Sequence, residues 1–109
     1  MSTFTCTLNS GTSPANTMFF GGTTNTLVVT ESSPPSNPFS GSTSVSLSYS
    51  TQGTTYGFSN VTITSSTTTT LTVTFKVSAT SGVAGGGGVL QVTITGPSEY
   101  LTLQIPQDQ

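Results

Sequence analysis

The strongest constraint on what this chain can fold into is a residue period of two. In Leu71-Thr72-Val73-Thr74-Phe75-Lys76-Val77-Ser78-Ala79 every odd position is apolar and every even one polar. Leu90, Val92 and Ile94 repeat the pattern around Gln91 and Thr93, and Leu101, Leu103 and Ile105 repeat it around Thr102 and Gln104. Successive side chains of a strand leave on opposite faces, so each run describes a strand with an apolar inner face and a hydroxyl-rich outer one. No segment carries a 3.6-residue apolar period, and essentially no helix is expected.

The rest of the chain supplies shorter strand signals. Phe4, Cys6 and Leu8 alternate, as do Val45, Leu47 and Tyr49. Thr26 to Thr30 reads as a less regular strand, buried on both sides or bulged. Val61 and Ile63 mark another short strand, and Met18-Phe19-Phe20 is an apolar patch ended by two glycines. The segment from Glu31 to Gly41 holds Pro34, Pro35 and Pro38, which lack backbone donors, and reads as a loop with Phe39 plugging the core. Gly82 to Gly88 reads as a flexible hairpin connection, since neither a following helix nor a lysine supports a phosphate cradle. The sum is an all-β, antiparallel β-sandwich of about seven strands, one domain over residues 1–109.

Charge narrows the function classes. Among 109 residues only Glu31, Lys76, Glu99 and Asp108 are charged, and Arg, His and Trp are absent. A typical soluble domain is about a quarter charged. Ser and Thr, which supply about two-fifths of the chain, must therefore build the surface, and little long-range repulsion keeps copies apart. One cationic side chain cannot neutralise a phosphate backbone, so nucleic acid is not an expected partner. No run of 18 apolar residues exists, so no membrane insertion is expected. The N-terminal Met-Ser-Thr-Phe-Thr-Cys has neither a basic nor an apolar signal region.

Catalysis lacks its usual groups. There is no His, the three acids are far apart in sequence, and they read as solvated turn charges. Cys6 has no His or Arg to activate it and reads as a buried structural thiol, with an intermolecular bridge as the alternative. No His/Cys set or carboxylate cluster offers a metal site. The expectation is a non-enzymatic protein with no cofactor and no metal.

From Gly57 onward the text acquires a family likeness. Phe58-Ser59-Asn60-Val61-Thr62-Ile63-Thr64, then Thr70 to Phe75, then the Gly-rich loop, then Val89-Leu90-Gln91-Val92-Thr93-Ile94-Thr95-Gly96-Pro97, resembles the immunoglobulin-like domains of the IPT/TIG type found in bacteria and phages. Gly21-Gly22-Thr23-Thr24-Asn25-Thr26-Leu27-Val28-Val29 resembles a strand of the same family. The Pro-rich stretch from Glu31 to Ser40 departs from the family's short turn. The resemblance implies an immunoglobulin-like sandwich serving as a spacer, adhesion or particle-surface module, and it brings no catalytic residue with it.

Three readings follow. The first is a virion subunit (phage decoration, head-fibre or tail), or another surface-assembly subunit, whose partners are copies of itself or a particle lattice. The second is an immunoglobulin-like spacer or adhesion domain cut from a bacterial cell-surface protein. The third is a glycan-binding module, with Tyr49, Tyr56 and Tyr100 as a possible binding surface, although the strand phase of Tyr49 favours the core. Localisation under these readings is the virion, the extracellular space or the cell surface. Threonine pairs such as Thr62/Thr64, Thr72/Thr74 and Thr93/Thr95 also admit ice binding, but Thr is simply a favourable exposed strand residue.

Overall fold

A computed structural model describes residues 4–12, 15–32, 39, 43–51, 54–67, 69–78, 82–83, 88–96 and 98–106. Nine strands and no helix occur among these residues: β1 (Phe4–Leu8), β2 (Phe19–Phe20), β3 (Asn25–Glu31), β4 (Ser44–Thr51), β5 (Thr54–Ser66), β6 (Thr70–Ser78), β7 (Gly82–Val83), β8 (Gly88–Thr95) and β9 (Glu99–Ile105). Seven form one antiparallel sheet in the order β1-β3-β6-β5-β4-β8-β9, and β2 pairs with β7 in a separate two-stranded ribbon. The two ends of the large sheet, β1 and β9, come near each other, so the sheet curls towards a closed barrel.

One strand turns that single sheet into two layers. The first residues of β5 pair with β4, from Thr51↔Thr54 to Tyr49↔Tyr56. From Gly57↔Ser78 onward β5 pairs with β6 instead. The change of partner falls at Tyr56-Gly57, where a Cβ on residue 57 would lie 3.0 Å from Ser78 Oγ. The missing side chain lets Gly57 N–H donate to Ser78 Oγ at 3.2 Å while that hydroxyl donates to Gly57 C=O at 3.2 Å. The layers are then β1-β3-β6-β5 and β4-β8-β9. With the short ribbon set aside, this is the seven-strand order of immunoglobulin sandwiches, four strands facing three.

Period-two patterning becomes two stacked sets of apolar rows. Leu8, Leu27 and Val73 lie side by side in one layer, and Tyr49, Leu90 and Leu103 in the other; all are buried. β6 alternates half-buried and buried residues along almost its whole length, as its sequence requires. β3 is regular, not bulged: Asn25, Leu27, Val29 and Glu31 point inward and the intervening residues are half-buried, as befits a strand flanked by β1 and β6.

Two features lie beyond the sequence pattern. Phe19 and Phe20 pair with Val83 and Gly82, so a segment read as a patch and one read as a loop form a ladder. The turn between β1 and β3 is held by asparagine amides. Buried Asn25 accepts from Phe19 N–H at 2.7 Å and from Asn9 Nδ2 at 2.8 Å, and donates to Phe19 C=O at 2.8 Å. Asn9 also donates to Thr17 C=O at 2.7 Å and accepts from Thr26 N–H at 2.9 Å. Asn9 and Asn16 sit at φ 49° and 65°, a region that Asn tolerates better than most residues.

Candidate functional site

The three tyrosines do not share a surface. Tyr49 and Tyr56 are register partners at the β4–β5 hairpin, with ring centroids 5.6 Å apart. Phe20 stacks on Tyr56 at 4.9 Å and meets Tyr49 edge-on at 6.5 Å. Tyr49 is 1% exposed, so no face of its ring is open to a sugar. Its place as a stacking platform is therefore corrected: it is core, as its strand phase indicates. Tyr56 is half-buried in the same aromatic cluster. Tyr100, on β9, is 59% exposed and is the most exposed large apolar side chain among the described residues.

Tyr100 stands on the outer face of the three-stranded layer. The register sets Ser46, Thr93 and Tyr100 in one row and Ser48, Gln91 and Thr102 in the next. All six are exposed and none is charged. Ser48 Oγ donates to Gln91 Oε1 at 3.0 Å, and Gln104 Nε2 donates to Gly88 C=O at 3.0 Å, so parts of this face are already tied together by hydroxyls and amides. Val89, 39% exposed, adds a second apolar point. Such a face offers hydrogen bonds and modest apolar area to a neutral partner, and nothing to attract a phosphate or a cation.

The threonine pairs do not gather on one plane. Thr62 pairs with Thr74, but a register shift separates Ile63 from Ser65 and displaces Thr64, while Thr93 and Thr95 lie on the other layer.

Charged residues are spread over the fold. Glu31 ends β3 and is only 3% exposed; neither of its carboxylate oxygens has a hydrogen-bond partner among the described residues. The expectation of a solvated turn charge is corrected: the residue continues the inward phase of Asn25, Leu27 and Val29. Lys76 is half-buried on β6 opposite Ser59, and Glu99 is half-buried on β9 opposite Ile94. Asp108 lies outside the described residues, as does the Pro-rich stretch 33–38. Among the described residues no group of three or more His, Cys, Asp and Glu side chains gathers, and no helix is long and apolar enough to cross a membrane. Cys6 is half-buried, and burial pushes its thiol above the ordinary value, which leaves little nucleophilic thiolate at neutral pH.

The site and fold together define a charge-poor, antiparallel β-sandwich whose most continuous described feature is a neutral hydroxyl–amide face. Comparison of the chain with family models, with curated proteins and with solved structures finds no match in any of the three.

Proposed function

We propose that this protein is a non-enzymatic structural and interaction module, a subunit of a virion or of another surface assembly. The observation that carries the reading is the uncharged outer face of β4-β8-β9. Burying a charge against a neighbour costs desolvation that is recovered only by good pairing. A face of Ser, Thr, Gln and Tyr avoids that cost and can meet a neutral lattice through hydroxyl, amide and backbone contacts. Its partners are then protein surfaces, in the first place other copies of the chain. The test is the solution mass across a concentration series, together with a search for the chain in purified particles. A strict monomer that is absent from every particle would end this proposal.

The strand order favours a second reading, an immunoglobulin-like spacer or adhesion domain of the IPT/TIG type from a bacterial surface protein. Flanking repeats in the parent gene would support it. The exposure of Tyr100 leaves a glycan-binding role as a subordinate version of either reading, which silence on a glycan array would remove.

A further inference from the structure

Four stretches of strand edge border the two layers, and they differ in what they could accept. β1 and β9 approach each other, which limits the room beside either. β5 beyond Gly57 is broken by register shifts between Ser59 and Thr62 and between Ile63 and Ser65, with Asn60 at φ 55°. Such bulges interrupt the regular spacing of donors and acceptors that an added strand needs, and natural sheets use them to refuse partners.

The fourth edge is different. β4 from Ser44 to Ser48 runs in unbroken register with β8, while β5 has turned away to β6. No other described strand pairs with this side. In an antiparallel strand alternate residues direct N–H and C=O to opposite sides, so this edge presents a regular row of both. It carries no charge and no proline. Its inward side chains, Val45 and Leu47, are only half-buried, whereas Val92 and Ile94, their register partners on β8, are fully buried. One added strand would satisfy the backbone row and cover both side chains.

We infer that the β4 edge is the contact through which two copies of this chain pair, antiparallel about a two-fold axis at Ser46. The inference rests on the assembly reading above and names its surface. The segment Ser44-Val45-Ser46-Leu47-Ser48 is symmetric in polarity about its centre. A two-fold axis there sets Val45 against Leu47 of the second copy and serine against serine, so both faces match themselves, as an isologous interface requires. The absence of charge on the strand and on the adjoining outer face leaves nothing to repel the second copy. The product is a continuous six-stranded sheet, β9-β8-β4 from each copy.

The experiment is sedimentation or light scattering over a concentration series for the wild type, Ser46→Lys and Thr7→Lys, with folding checked by circular dichroism. The wild type should pass from one chain mass to two as concentration rises. Ser46→Lys sets two like charges opposite each other at the axis, which disfavours pairing, and should stay at one chain mass. Thr7→Lys, exposed on β1 in the other layer, should pair like the wild type. A second variant does not depend on lysine being tolerated. With Cys6→Ala in the background, Ser46→Cys should form a disulfide-linked dimer on mild oxidation, because opposed Cα atoms in such a pair are about 4.5–5.5 Å apart. A wild-type oligomer that Ser46→Lys leaves intact, or no crosslink at residue 46, overturns the edge assignment and leaves the assembly reading standing. A wild-type monomer found in a purified particle overturns self-pairing alone.

Discussion

Replacing Glu31 with Met should make this protein more stable. Glu31 is almost wholly buried, it continues the inward row of β3, and both of its oxygens lack a partner among the described residues. Its register neighbour Phe4 packs edge-on against Phe39 at 5.8 Å, so the local surroundings are apolar. A buried polar group without a hydrogen bond costs about 1–3 kcal/mol, and more when charged. Met has similar length and no such demand, and isosteric apolar exchange is well tolerated in cores. The net gain should be about 3 kcal/mol on that scale, or a rise in Tm of about 13 °C for a domain of this size. Thermal and urea unfolding at neutral pH, followed by circular dichroism, measure it. Glu31→Gln serves as the control: it keeps the shape and the unmet polarity and should fall between wild type and Glu31→Met. A lower Tm for Glu31→Met would refute the reasoning, since the carboxylate would then be making a favourable interaction in the folded protein.

Three other outcomes are expected. Asn25→Ala strips partners from Phe19 N–H, Phe19 C=O and Asn9 Nδ2 together, and should cost about 3 kcal/mol, read as a lower urea midpoint. Phe20→Ala removes the ring that stacks on Tyr56 and meets Tyr49 edge-on; it should cost about 3 kcal/mol and raise the near-ultraviolet signal's sensitivity to heat, and an unchanged melt would show that the cluster adds nothing. Cys6 should be alkylated far more slowly in the native protein than in denaturant at neutral pH. Because burial raises its folded value, its contribution to stability is complete below the ordinary thiol value of about 8.5. That contribution is lost as pH climbs through the raised value, and Cys6→Ser should remove the resulting alkaline fall in Tm.

Strand identity was legible because it is local. The alternation in Leu71–Val77, Leu90–Ile94 and Leu101–Ile105 maps onto β6, β8 and β9 with the inner and outer faces as expected. The same phase rule extends through Asn25, Leu27 and Val29 to Glu31, where strand phase prevails over charge. Val61 and Ile63 indicate only a short strand, whereas β5 runs from Thr54 to Ser66, with Gly57 at its crossing point and Asn60 in its bulge. The candidate surface was legible only in part: Tyr100 is where a solvent-facing ring belongs, whereas Tyr49 is enclosed by Phe20 and Tyr56, residues it meets only in three dimensions.

By itself the sequence determined the all-β class, the absence of helical periodicity and the charge-poor surface, since period and composition need no knowledge of who pairs with whom. Tertiary structure decided the strand order, the change of partner at Gly57, the β2–β7 ribbon and the open β4 edge. Each of these depends on contacts between residues distant in the chain. Local alternation records which face of a strand is buried, and carries no record of the strand that lies beside it.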